Sequence, residues 1–138
     1  MKAYLLDSSF LYALINSSER KHRDVLAVVR QLKGRVYMPT VAIAEVAYLV
    51  RRGQGGVAVA DFLDALVAGN FHLVEPEDGD LTRAAAIIRQ YADAELDVVD
   101  AIIMAIAERL KITTILTLDQ RDFRLVRPKH CVAFEIRP

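Results

Sequence analysis

Four carboxylates stand where a hydrophobic core would normally reject them. Glu45 is the one charged residue in the stretch Val-Ala-Ile-Ala-Glu-Val-Ala-Tyr-Leu-Val, positions 41 to 50. Asp7 ends the apolar run Ala3-Tyr4-Leu5-Leu6, Asp100 opens the run Ala101 to Ala107, and Asp119 follows Thr114 to Leu118. Desolvating an ionised carboxylate is costly unless a cation compensates. Two unit charges roughly 4 Å apart repel by about 4 kcal/mol at an effective dielectric near 20. Several gathered together would consume the stability of a small domain. Either the four never meet, or cations hold them together. An all-oxygen ligand set suits Mg²⁺ or Mn²⁺ better than Zn²⁺, and the three histidines, His22, His72 and His130, are too scattered to form a ligand pair. With one or two such ions, clustered acids are suited to hydrolysing a phosphodiester, one ion activating water and another stabilising the leaving oxygen.

Neighbouring residues extend the set. Ser9 and Thr117 place hydroxyls beside Asp7 and Asp119, fit to hold a ligand carboxylate or a water. Asp97 and Asp122, each three residues from a stronger candidate, are auxiliary acids. Plainer readings exist for most of them. Asp7 could cap the following helix, Asp100 could be a first-turn acid with Asp97 as N-cap, and Asp119 could belong to a turn. Glu45 is hardest to dismiss, because its helix offers no charged neighbour before Arg51. Asp24, Asp61, Asp64, Asp80 and Asp93 lie among polar neighbours and read as solvated.

The elements that must position these acids follow from periodicity. Strands are predicted at Lys2–Leu6, Arg35–Met38, Phe71–Val74, Thr114–Leu118 and Val132–Ile136. Helices are predicted at Phe10–Ile15, from Ser17 to Leu32 with Gly34 just past the end, from Thr40 to the Arg51-Arg52-Gly53 stop, and at Val57–Ala68, Leu81–Ala92 and Asp97–Lys111. Gly53-Gln54-Gly55-Gly56 reads as a flexible linker between two helices. Short apolar strands alternating with longer helices imply a mainly parallel, twisted α/β sheet flanked by helices on both faces. In such folds ligands gather at the carboxyl ends of strands, where Asp7 and Asp119 stand.

At 138 residues and 54% hydrophobic, the chain can bury one substantial core. Eighteen basic residues balance eighteen acidic ones, so net charge neither demands nor excludes a nucleic-acid partner. Cys131 is the only cysteine, which rules out an internal disulfide and favours a reducing compartment. With no signal pattern and no apolar run of the ~20 residues needed to span a bilayer, a cytoplasmic protein without a membrane partner is expected.

Taken together, Leu5-Leu6-Asp7-Ser8-Ser9, Thr40 through Glu45, Val99-Asp100-Ala101 leading to Ala107-Glu108-Arg109-Leu110, and Thr117-Leu118-Asp119-Gln120-Arg121-Asp122-Phe123 resemble the PIN-domain ribonucleases, most closely the VapC toxins of toxin–antitoxin pairs. The resemblance covers essentially the whole chain and implies one PIN-like domain over residues 1–138. It implies a Mg²⁺- or Mn²⁺-dependent endoribonuclease acting on RNA, with Asp7, Glu45, Asp100 and Asp119 as catalytic and metal-binding acids. It implies also a homodimer inhibited by a VapB-like antitoxin. In VapC-like proteins the final segment commonly reads Thr-x-Asp-x-x-Phe, and here Asp122 precedes the Phe as well, so Asp119 and Asp122 compete for the place nearest the metal. Asp119 is favoured because it follows the strand directly. Alternatives are a PIN-fold RNA-processing nuclease without an antitoxin and a non-catalytic PIN-fold binding module. Phosphoryl transfer through an aspartyl intermediate at Asp7 is disfavoured, since Ser9 stands where a second Asp is usual.

RNA binding needs cations that track phosphates. Arg121, Arg124, Arg127 and Lys129 are the preferred set, because they follow Asp119; Arg20-Lys21-His22-Arg23 and Arg51-Arg52 are further candidates. Tyr12, Tyr48 and Phe62 fall in helical apolar patterns and read as core or interface rather than as stacking platforms. The Val57–Val67 helix with its Gly-rich approach is a candidate wall for an antitoxin groove.

Overall fold

The computed structural model describes residues 2–138. Five strands form one wholly parallel sheet: β1 (Lys2–Leu6), β2 (Gly34–Pro39), β3 (Phe71–Val74), β4 (Thr114–Leu116) and β5 (Glu135–Arg137), in the spatial order β3-β2-β1-β4-β5. Seven α-helices connect them: α1 (Ser8–Ile15), α2 (His22–Gln31), α3 (Thr40–Gln54), α4 (Gly56–Ala68), α5 (Asp78–Gln90), α6 (Val98–Leu110) and α7 (Arg121–Leu125). The chain winds outward from β1 through β2 to β3, then returns to the other side of β1 for β4 and β5. Strand order therefore reverses at the β1–β4 boundary, the place where open parallel sheets leave a crevice beyond the strand ends.

The alternation of β1 explains why both sheet faces must be covered. Tyr4 and Leu6 pack with Phe10, Leu11, Val25, Met38, Val46 and Phe62 from α1 to α4 and β2. Leu5 points the other way, into Ile87, Ile103, Met104, Ile106 and Phe123 from α5 to α7. The expected α/β sheet with helices on both faces is thus the fold. No helix among the described residues is long and apolar enough to cross a membrane.

Local chemistry moved several expected boundaries. Gly34 does not end a helix; it opens β2, where an added Cβ would collide with the Lys2 carbonyl oxygen. The expected linker shrinks to one hinge, Gly55 at φ +90°, because α3 runs on through Gly53 to Gln54 and α4 starts at Gly56. The fourth strand stops at Leu116, freeing Thr117 and Leu118 for other bonds, and the fifth lies at Glu135–Arg137 rather than Val132–Ile136. The short helix α7 was not expected.

Asp80 overturns its solvated reading. It is 3% exposed and completes a reciprocal capping box with Glu77 at the start of α5. The same carboxylate accepts from Arg109 near the end of α6, at 2.9 Å from Nη2, so one acid caps α5 and clamps it to α6. Asp80→Ala loses a cap and leaves the partly exposed Arg109 guanidinium with Glu77 as its remaining carboxylate partner, and is expected to destabilise the fold by about 2 kcal/mol, measured as a lower midpoint of urea denaturation.

Candidate active site

Asp7 and Thr117 leave the carboxyl ends of the adjacent strands β1 and β4, so their side chains meet at the switch point. The Asp7 backbone N–H still donates to the Leu116 carbonyl at 3.0 Å, which fixes the register of the two ends. Asp7 caps α1 only by position, because its carboxylate makes no capping bond. Instead its Oδ2 accepts from Thr117 Oγ1 at 2.7 Å and from Ser9 Oγ at 2.9 Å. Each hydroxyl has one proton and gives it to Asp7. Each in turn accepts from the backbone: Thr117 Oγ1 from Asp119 N–H and Ser9 Oγ from Leu118 N–H, both at 3.0 Å. The loop after β4 is thereby pinned to the acid after β1.

Glu45 arrives from the first half of α3. Its Oε1 accepts from Ser8 Oγ, which uses the proton that Ser8 could otherwise give to Asp7 Oδ1. Asp100 sits in the first turn of α6, behind Asp97. Asp97 is the N-cap, accepting from Val99 N–H at 2.8 Å and Asp100 N–H at 3.3 Å. Asp100 is buried, and its Oδ2 has no hydrogen-bond partner. Asp7, Ser8, Ser9, Glu45, Tyr48, Leu49, Asp97, Asp100 and Asp119 together line an open cleft of about 320 Å³.

The electrostatics follow from burial and from crowding of like charge. Desolvation raises the Asp7 carboxyl above its ordinary range, against the lowering effect of the Thr117 and Ser9 hydrogen bonds. Asp100 is pushed up to about 9, first by desolvation and then by the charge of Asp7, with Asp97 and Asp122 adding to it. Among the described residues no group of three or more His, Cys, Asp or Glu side chains is placed to hold a metal ion. The donors nonetheless fit a small hard cation. They are oxygens, one is buried without a partner, and Mg²⁺ commonly takes one or two carboxylates and keeps several waters.

The structure brings Asp7, Glu45, Asp100 and Asp119, with Ser9 and Asp97, to one cleft, and sets Thr117 directly behind Asp7. Asp122 does not line the cleft but stands behind it, against the Asp100 carboxyl: buried, it accepts from the Asp97 backbone N–H at 3.1 Å and from Arg121 Nη1 at 2.8 Å. Asp119, by contrast, is exposed on the cleft wall. Of the expected cationic group Arg121, Arg124 and Arg127 stay along α7 and its end, and Lys129 stands apart. Arg121 lies beside Asp122 and the Ala94 carbonyl, and the Arg127 side chain is bonded to the Arg124 carbonyl. Lys129 lines a separate cleft with Arg83 and Glu108 near the far end of α6. Glu108 is eight residues from Asp100, about 12 Å along the helix axis. Sequence reasoning passed over Ser8 as a partner of Glu45, and it assigned Tyr48 to a core or interface. The one available signal for Tyr48 was its position three residues after Glu45, on the same helix face.

The family model for the PIN domain matches residues 4–128. The chain belongs to the PIN-domain family. Ribonuclease VapC26 of Mycobacterium tuberculosis (strain ATCC 25618 / H37Rv) is 30% identical over 124 residues, which cover 90% of this chain and 92% of that one. Among solved structures, M. tuberculosis VapC20, described as a sarcin-ricin loop cleaving toxin, superposes with a TM-score of 0.78 at 17% identity, over 85% of this chain and 90% of that chain. VapBC2 of Rickettsia felis, bound to a DNA fragment from its promoter, matches with a TM-score of 0.73 at 14% identity over 99% of both chains. The likeness of this PIN-domain chain to VapC proteins, expected from its motifs, thus appears both in sequence and in fold.

The acid wall of this PIN domain carries a pH signature. A carboxyl raised from its ordinary value of 3.8 to about 9 contributes full stability below the lower value. That contribution drains away as pH rises through the window between them. Metal-free protein is therefore expected to melt at progressively lower temperature from about pH 5 to about pH 9. Asp100→Asn should flatten that slope and stabilise the metal-free protein at neutral pH by on the order of 2 kcal/mol, since one pH unit corresponds to about 1.4 kcal/mol. Thermal melts in EDTA across the pH range provide the check.

Proposed function

We propose that this PIN-domain protein is a Mg²⁺- or Mn²⁺-dependent endoribonuclease that hydrolyses RNA phosphodiester bonds as the toxin of a VapBC-like pair. The observation that carries the reading is the wall of carboxylates at the β1–β4 switch point, where Asp100 Oδ2 is buried without a partner. Asp7 and Asp100 would hold the ion most directly, with Glu45 and Asp119 at the rim. When bound, such an ion would screen the carboxylates and supply an activated water and charge stabilisation at the phosphate. Thr117 and Ser9 fix Asp7 Oδ2 and favour its ionised form against the burial that opposes it. Asp97 orients Asp100 by capping its helix, and Asp122 and Arg121 hold Asp97 in turn. The 30% identity to a protein named as a ribonuclease supports the choice of RNA as substrate.

Asp7→Asn is expected to lower cleavage of single-stranded RNA by more than roughly 100-fold while leaving the fold intact, and EDTA to abolish cleavage. Thr117→Val, isosteric but without the hydroxyl, should cost roughly 10- to 100-fold. Full Mg²⁺-dependent activity in Asp7→Asn would overturn the assignment. A purely binding PIN module would show no cleavage at all, although the retained acid set favours an enzyme.

The VapBC2 assembly supports a VapB-like antitoxin as partner. A groove of about 200 Å³ between α1, α3 and α4, lined by the apolar Ile15, Val50, Ala58, Phe62 and Ala65 and by Gln54 and Asp61, suits an amphipathic helix of such a partner. Ala65→Arg on its exposed lip should weaken antitoxin binding at least about tenfold by calorimetry without lowering RNA cleavage. If growth arrest by the chain is unaffected by the neighbouring reading frame's product, a role in RNA processing without an antitoxin becomes the better reading.

A further inference from the structure

We propose that the outer face of α3 is a nucleotide track, on which Tyr48 stacks against an RNA base beside the scissile phosphate and Arg52 takes a neighbouring phosphate. The proposal rests on the ribonuclease reading above and deepens it by naming residues that position the substrate.

Of the five tyrosines and five phenylalanines in the chain, Tyr48 alone is exposed, at 63%. The others are buried or half-buried: Tyr12 bonds Asn16, Tyr37 packs on His72, and Tyr91 accepts from the Arg127 backbone N–H. A single exposed aromatic is unremarkable by itself. What sets Tyr48 apart is its address, because it lines the same cleft as Asp7, Glu45, Asp100 and Asp119. The buried stripe of α3 runs through Ala42, Val46 and Val50. At about 100° per residue, Tyr48 lies nearly opposite that stripe and cannot reach the core by a rotamer change.

The same geometry aligns three chemistries. Glu45 and Tyr48 are related as i and i+3, and Tyr48 and Arg52 as i and i+4, so acid, ring and cation lie on one helix face over about 10 Å of axis. Arg51 and Arg52 are exposed, and neither forms an ion pair among the described residues. Single-stranded RNA is held by such a pairing of aromatic platform and cationic track. Every base has a π-face, so Tyr48 anchors the strand without reading its sequence, while Arg52 steers the phosphate by charge.

The test uses the full chain, Mg²⁺ and a labelled single-stranded RNA of mixed sequence. Tyr48→Ala is expected to raise KM roughly 5- to 100-fold with a much smaller change in kcat. Tyr48→Phe should recover most of that loss, since the ring and not the hydroxyl does the stacking. The chain contains no tryptophan, so Tyr48→Trp introduces a sole indole reporter. Placed in the Asp7→Asn background, its fluorescence should be quenched by the RNA but not by an abasic oligonucleotide of equal charge. An active wild-type enzyme whose KM is unmoved in Tyr48→Ala, or an indole blind to RNA, overturns the inference and leaves the ribonuclease reading intact. A Tyr48→Ala protein that changes from dimer to monomer by sedimentation, at unchanged KM per site, overturns it in favour of a subunit contact. A wild-type chain that cleaves no RNA overturns the ribonuclease reading itself, and the track falls with it.

Discussion

Asp7 and Asp100 share one wall of a cleft, and the charge of each raises the cost of ionising the other. Burial adds to that cost, because little water reaches either carboxyl to screen it. The protein offsets part of it at Asp7, where two hydroxyl protons converge on one oxygen. At Asp100 it offers no such help: one oxygen is sealed from solvent without a donor. No lysine or arginine is among the residues lining the cleft. A fold that concentrates negative charge in this way, and withholds the side chains that would neutralise it, is the ground on which the proposed cation rests. The raised proton affinity of Asp7 and Asp100 follows from the same imbalance.

The sheet topology makes the imbalance possible. Reversing strand order between β1 and β4 leaves their ends uncovered by a crossover, so Asp7 and the loop after β4 face each other directly. Helices α3 and α6 then point their early turns at the same edge and bring Glu45 and Asp100 with them. The helices are anchored away from the cleft as well. Asp80 and Arg109 clamp α5 to the last turn of α6, and Glu108 accepts a bidentate bond from Arg83, at 2.7 Å and 3.1 Å. Rigidity at one end of α6 thus supports a costly arrangement at the other, as preorganised sites require.

Serine and threonine hydroxyls make the site a connected unit. Ser9 and Thr117 pass hydrogen bonds from the backbone of the β4 loop to Asp7, and Ser8 ties the start of α1 to Glu45 on α3. Three segments distant in the chain are therefore locked by hydroxyls that carry no charge of their own. The same helix face that presents Glu45 presents Tyr48 and Arg52, so the proposed nucleotide contacts would share one element with a cleft acid.

Much of this was legible in the primary sequence. Alternating and continuous apolar runs specify strands and helices, and an acid that terminates such a run is forced to a sheet edge or helix start. That is why Asp7, Glu45, Asp100 and Asp119 could be named from sequence, and why Asp97 could be read as a cap. Asp80, Lys129 and Tyr48 were misjudged for one common reason: each depends on which distant element lies alongside. Asp80 reads as solvated until Arg109 arrives from α6, and Lys129 reads as near Asp119 until the chain carries it to the far end of that helix. Tyr48 reads as core or interface until the Ala42-Val46-Val50 stripe takes the core-facing side of α3 and rules out the core. Local sequence dictates periodicity, capping and the kinds of chemistry available. Proximity is decided only when the sheet closes, because burial and charge coupling are properties of pairs brought together through space rather than along the chain.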